Sequence, residues 1–169
     1  MPREEFWETI DAARAAAMFD RSRLPAALRE ELEGRDEEEV LDFIRHFHEC
    51  RIEAFRWELW AAAWVAGGGA AEEDFSDFRD WLITLGREAF EDVLHDPQRM
   101  LDHADPAELS DPFDAEVGKA AVDVYHELTG GGEIPPGTLR PHPREPAGRP
   151  FKPEDLPRRY PRLWRAYNE

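Results

Sequence analysis

The stretch DEEEVLDFIRHFHECRIEAFRWELWAAAWVA, residues 36–66, decides the fold. Placed at 100° intervals around a helix axis, Phe43, Phe47, Cys50, Ala54, Trp57, Ala61 and Trp64 repeat in four-three spacing, and Val40, Ile44, Phe55, Leu59 and Val65 widen the arc on one side. The pattern reads as one long central helix with a core-facing stripe. Asp42, Arg45, Glu49, Glu53 and Arg56 supply a solvated strip opposite. Two charges, Arg51 and Glu58, fall inside the apolar arc. Seven residues apart, they share a face at roughly 10 Å of axial separation, too far to pair directly. Each therefore needs another partner, because an unpaired charge on a buried stripe costs several kcal/mol.

A second helix has the same peculiarity. EDFSDFRDWLITLGREAFEDVL, read as a helix from Asp74 to Leu94, places Phe75, Phe78, Leu82, Ile83, Ala89, Phe90 and Val93 on one arc, with Arg79 among them. The two helices are expected to pack face to face, with Glu58 meeting Arg79, Arg51 or both. Two readings stand side by side. One is an architectural ion pair, whose rupture would cost roughly 3 to 5 kcal/mol. The other is an anion or polar-ligand site of Arg51, Glu58 and Arg79 framed by Trp57 and Trp81, in which Glu58 would be the base if there is catalysis.

Caps and breakers set the remaining organisation. An amphipathic helix over Arg3–Met18 carries Phe6, Trp7, Ile10, Ala13 and Ala17. A short helix over Leu24–Leu32 has Pro25 in its first turn and Gly34 just past its end, where a left-handed residue is wanted. Asp36 and Glu39 form a capping box for the long helix, and the triplet Gly67, Gly68 and Gly69 stops it. Asp96–Pro97, Asp105–Pro106 and Asp111–Pro112 signal three short helical turns. A last main helix over Phe113–Leu128 buries Val117, Ala120, Ala121, Val124 and Leu128. Residues 131–150 are rich in Pro and Gly and read as a loop, after which Tyr160, Leu163, Trp164 and Tyr167 offer apolar groups for docking. Sustained alternation and solenoid repeats are absent, so the expectation is an all-α, irregular multi-helix bundle. Its helical domain spans 1–130, and an extended Pro/Gly-rich basic tail over 131–169 packs on that same domain.

Composition narrows the function. With 169 residues, 41% hydrophobic, six Trp and ten Phe, the chain can bury one core. A net charge of −17 excludes nucleic acid and anionic membranes as partners and leaves basic proteins. The charge is uneven, at −21 over residues 1–139 and +4 over residues 140–169, so the tail reads either as a strap folded over an acidic body or as a docking arm. Cys50, the one cysteine, excludes an internal disulfide and points to a reducing cytoplasm. Charges from Arg3 onward argue against a signal peptide, and no run is long enough to span a membrane. His46 and Cys50 share one helical edge, but His48 points elsewhere and neither HExxH nor CxxC occurs, so neither a metal nor a cofactor is implied. The glycine triplet lacks the strand and GK[ST] context of a phosphate loop, and no GxSxG elbow is present.

Phe6 and Trp7, FRWELWAAAWVAGGG over 55–69, DFSDFRDWLITLGREAFEDVLHDP over 74–97 and the terminal RRYPRLWRAY together resemble an uncharacterised bacterial family, catalogued as domain of unknown function 4240 and common in actinobacteria. The resemblance runs from Phe6 to about Leu128, implies no activity, and favours an acid at Glu58 and an arginine at Arg79. The preference for Arg over Lys fits a GC-rich genome. The functional expectation is a small acidic cytosolic protein, most simply a non-enzymatic protein-binding or accessory, immunity-like module. The alternative is a small enzyme or anionic-ligand-binding protein using the Glu58, Arg51 and Arg79 cluster.

Overall fold

A computed structural model describes residues 1–108 and 116–169, which are all-α, with no strand among them. Asp111, Pro112 and the expected helix start at Phe113 lie outside the described residues. The chain forms two compact units, one of Met1–Cys50 with Ala115–His142 and the other of Arg51–Asp114 with Pro143–Glu169.

The first unit holds α1 (Arg3–Ala16), α2 (Leu24–Glu33), most of α3 (Glu37–Glu53) and α7 (Glu116–Leu128). Glu4 and Glu5 in the first turn of α1 and Arg14 in its last complement the helix dipole, and Phe6, Trp7, Ile10 and Ala13 face the core. The Phe6 ring centre lies 4.9 Å from that of Phe43 on α3. The expected capping box starts α3: Glu39 N–H donates to Asp36 at 2.9 Å, and Asp36 N–H donates to the Glu39 carboxylate at 3.1 Å. Arg29 ties α2 to Glu127 of α7. Residues 138–140 are held against α3, since Arg45 donates to the Thr138 carbonyl at 3.3 Å and Arg140 pairs with Glu49 at 2.7 Å. Two local expectations need correction. Gly34 has a φ of −83°, an ordinary rather than left-handed value, and Leu128 ends α7 largely exposed instead of buried.

The second unit holds α4 (Trp57–Gly67), α5 (Glu72–Thr84), α6 (Arg87–His95), a 3-10 turn at Pro97–Asp102, and two short helices, α8 (Leu156–Arg159) and α9 (Pro161–Asn168). Its α4 buries Leu59, Ala61, Ala62, Ala63, Val65 and Ala66. Asp96 caps the 3-10 turn as expected, accepting from Gln98 N–H at 3.0 Å. Leu156, Tyr160 and Leu163 of the tail are buried, and Arg162 bonds both the Gln98 side chain at 2.8 Å and Asp102 at 3.1 Å.

Both long helices expected from the sequence are broken. The stretch 36–66 is not one helix: α3 ends at Glu53, and α4 starts at Trp57. Between them the backbone at Arg56 is extended (φ −133°, ψ 145°) and forms an isolated parallel bridge with Ala147. Trp57 N–H donates to the Ala147 carbonyl at 2.9 Å, and Ala147 N–H donates to the Phe55 carbonyl at 2.9 Å. A segment ninety residues away thus satisfies backbone groups that a continuous helix would have paired internally. The stretch 74–94 breaks at Gly86, whose φ of +97° is accessible to glycine and strained for other residues.

Candidate functional site

The interruption of α3 determines what the buried charges meet. Arg51 sits in the last turn of α3, where carbonyls lack intrahelical partners. Arg79 on α5 satisfies one of these, donating from Nη1 to the Arg51 carbonyl at 2.9 Å. The Arg51 guanidinium itself grips Asp80 through Nε and Nη2, each bonding one carboxylate oxygen. Asp80 is 2% exposed and Arg51 34%. The cluster is therefore Arg51, Arg79 and Asp80.

Arg79 is 6% exposed and lies against two aromatic faces, its guanidinium carbon 4.7 Å from the Phe55 ring centre and 5.0 Å from that of Phe75. Both distances fall within cation–π range. Desolvation pushes its pKa down to about 10; the Asp80 charge opposes this, while the Arg51 charge adds to it. Even so, the guanidinium stays charged at neutral pH.

Glu58 lies outside this cluster. It occupies the first turn of α4 and makes no ion pair with Arg51 or Arg79 among the described residues. One continuous helix would put it on the same stripe as Arg51, but the turn at Ala54 and the extended backbone at Arg56 reset that phase. Its carboxylate instead lies against Gly148, where an added Cβ would come within 2.8 Å of both oxygens. Burial raises the nearby Tyr160 phenol pKa, Arg159 opposes that shift, and Glu58 and Asp96 add to it.

Trp57 is half-buried and stacks on Trp60 at 5.3 Å with an interplanar angle of 11°. Trp60 in turn stacks on Phe75 at 4.9 Å and donates its indole N–H to the Ala70 carbonyl at 3.0 Å, closing the glycine-rich turn. Trp81 is buried beside Phe78, with ring centres 5.5 Å apart. The five expected site residues therefore separate. Arg51 and Arg79 meet, Glu58 faces the tail, and the two tryptophans belong to aromatic packing. Asp80 went unrecognised, although it is the one acid in the otherwise apolar run FRDWLIT around Arg79. Chemically, an incoming anion would have to displace Asp80 from Arg51.

The edge of α3 offered for metal binding is also occupied. His46 Nε2 is 2.8 Å from the Met1 carbonyl, and Cys50 is fully buried with the Arg3 guanidinium 3.7 Å from its sulfur.

A concave site does exist in the first unit, at residues the sequence reading passed over. A cleft of about 410 Å³ is lined by Pro2, Glu4, Glu5, Glu8, Thr9 and Ala12 of the α1 segment and by Glu31 and Arg35 at the end of α2. Arg35 is held within it by Glu5 and by Glu39 at 3.6 Å, and donates to the Thr9 hydroxyl at 3.1 Å. Glu8 and Glu31 make no hydrogen bond or ion pair among the described residues. The i, i+4 spacing of Glu4 and Glu8 was visible, but such pairs ordinarily mark a solvated face. Only the approach of Glu31 on α2 turns that face into a cleft.

No helix of the described residues is long and apolar enough to cross a membrane. No curated protein and no solved structure matches the chain. A family model described as protein of unknown function (DUF4240) matches residues 1–127, which takes in α1 to α6, the cleft and the Arg51, Arg79 and Asp80 cluster, and leaves out the tail. With three quarters of its length inside that match, the chain belongs to the DUF4240 family.

Proposed function

We propose that this protein is a non-catalytic, accessory or immunity-like module of the cytoplasm that binds a basic protein in the cleft between α1 and α2. The observation that carries the reading is the charge balance of that cleft: four glutamates against one arginine, with Glu8 and Glu31 lacking any cation among the described residues. Carboxylates crowded in a concave surface focus a negative potential and favour a cationic group presented from outside. The chain as a whole carries −17, which steers basic partners toward it and repels anionic ones. The enzyme or anionic-ligand alternative draws less support, because Arg51 is engaged by Asp80 and Glu58 lies away from both arginines.

The test uses a labelled hexa-arginine peptide titrated into the full chain by fluorescence anisotropy. Affinity is expected to fall steeply with added salt. Glu8→Lys/Glu31→Lys is expected to weaken binding on the order of tenfold, since two exposed reversals sum to about 1.4 kcal/mol. A control with the same change in net charge, Glu37→Lys/Glu38→Lys on the exposed start of α3, should lose much less. Equal losses in the two variants would show attraction to overall charge and defeat the cleft as a site.

A further inference from the structure

The segment that keeps α3 and α4 apart is itself lightly held. Over residues 143–154 every residue is exposed except Pro146 and Phe151, which are half-buried, and the buried anchor of the tail begins only at Leu156. At three positions this strap nevertheless fits the body of its unit closely. At Ala147 the backbone pairs on either side of Arg56: Ala147 N–H donates to the Phe55 carbonyl and the Ala147 carbonyl accepts from Trp57 N–H, each at 2.9 Å. At Gly148, whose φ is +87°, the Glu58 carboxylate occupies the place of a side chain, 2.8 Å from where a Cβ would stand. At Phe151 the ring is edge-on to two tryptophans, 6.3 Å and 72° from Trp57 and 5.8 Å and 67° from Trp64.

These are the parts of an extended-peptide site. Main-chain hydrogen bonds along a free backbone edge supply affinity, and pockets for individual side chains supply specificity. Here the edge is the extended turn at 55–57, the gap beside Glu58 favours glycine, and Trp57 and Trp64, two turns apart on α4, frame a slot for an aromatic ring in the edge-to-face geometry such rings prefer. Pro146 and Pro150 fix φ on either side of the contact, which lowers the entropy lost when the segment docks. Without the strap, the Phe55 carbonyl and the Trp57 N–H lose these partners, and a second extended chain can satisfy them as the first does. The groove residues lie inside the family match and the strap lies outside it.

We propose that the edge at 55–57 and the face of α4 bearing Trp57 and Trp64 form a peptide-docking groove, which residues 146–151 occupy as a built-in competitor. Its partner is an extended protein segment of the chemistry the strap displays: a small residue, then glycine, then an aromatic three positions further on, with proline in front of each contact. A tethered segment competes at an effective concentration on the order of mM, so the strap sets the threshold that a partner must exceed. The groove shares no residue with the acidic cleft, and the two sites stand or fall separately.

The probe is a labelled peptide of residues 144–153, REPAGRPFKP, titrated into the full chain by fluorescence anisotropy. Phe151→Ser, which loosens the strap and leaves the groove intact, is expected to bind it about tenfold more tightly than the parent chain. A peptide of the same charge with serine in place of its phenylalanine should show no gain, and adding Trp64→Ala to Phe151→Ser should abolish the gain. Gly148→Ala loosens the strap at a different contact and should give a gain in the same direction, which keeps the test open if Phe151→Ser fails to fold by circular dichroism. Equal affinity of the parent and the loosened variants, a gain shared by the serine peptide, or a gain that survives Trp64→Ala overturns the groove. Dimerisation of the loosened variants in light scattering, without peptide binding, overturns the foreign partner in favour of the tail of a second copy.

Discussion

Asp80→Asn is the sharpest probe of the charge cluster, because it keeps the shape of the side chain and removes only its charge. Fully buried ion pairs cost about 3 to 5 kcal/mol when one partner is removed, and exposed pairs are worth under about 1 kcal/mol. Here one partner is 2% exposed and the other 34%, which places the loss at about 2 to 3 kcal/mol. A second effect acts in the same direction. Arg79 is already destabilised by desolvation and by the Arg51 charge, and Asp80 supplies the leading opposing charge. Without that carboxylate two guanidinium groups face one another, and the Arg79 pKa should drop further below its present value of about 10. For a chain of this length the combined loss lowers the melting temperature by roughly 5 to 10 °C. Urea unfolding followed by tryptophan fluorescence, on Asp80→Asn, Arg51→Gln and the double variant, measures both the loss and the coupling. A loss under about 1 kcal/mol, or strict additivity of the two substitutions, would refute the argument that this pair anchors the end of α3 to α5.

Three further outcomes follow from individual contacts. Gly148→Ala should cost about 1 to 2 kcal/mol, chiefly because its φ is +87°, while the new Cβ at 2.8 Å would push aside the flexible Glu58 carboxylate; Glu58→Ala should recover that smaller share, and trypsin cleavage at Arg144 should report the loosened segment. Arg140 holds the Glu49 carboxyl below its ordinary value of 4.5, so the folded state binds that proton less readily than the unfolded chain does. The contribution is complete above that value and lost as pH falls through the lower folded one; acid titration of Glu49→Gln by circular dichroism should therefore show a shallower loss of stability below about pH 4.5 than the parent chain. Met18→Gly should stabilise by about 0.5 to 1 kcal/mol in thermal unfolding, since relief of left-handed strain exceeds the added freedom of the unfolded chain, whereas Met18→Ala should change little.

The local signals in the sequence translated into structure where the interaction is itself local. Asp36 with Glu39, and Asp96 with Gln98, are caps closed within three residues, so the residue types alone specify them. The apolar arc holds on α3, where Val40, Phe43, Ile44, Phe47 and Cys50 are buried, and only in part on α4, where Leu59, Ala61 and Val65 are buried but so are Ala62, Ala63 and Ala66, while Trp57 and Trp64 are half-buried. What periodicity could not show is that the two arcs belong to separate helices. Ala54, Phe55 and Arg56 contain neither Gly nor Pro, and the cause of the interruption, Ala147, is remote in sequence and outside the family match. Propensity favoured continuation, and a nonlocal pair of backbone hydrogen bonds prevailed. The break at Gly86 has a local signal in the glycine itself, set within apolar spacing that continues on either side of it.

The charge cluster shows how a correct premise reached a wrong partner. Arg51 and Arg79 lie on apolar stripes, and each meets a polar group in the structure, Asp80 for Arg51 and the Arg51 carbonyl for Arg79. The choice of Glu58 assumed that helical phase persists across residues 54–56 and left Asp80 out of account. Phe78 to Thr84 are all buried, so the last two turns of α5 have no solvent face to which an acid could turn. An acid in such a run must bring a cation inside with it, and an arginine at a neighbouring helix end can bond it with two nitrogens while its own backbone carbonyl accepts from a second arginine. Burial of Asp80 and termination of α3 at Glu53 are therefore two sides of one arrangement: the carboxylate fixes Arg51, and Arg79 caps the carbonyl that the end of α3 leaves unpaired.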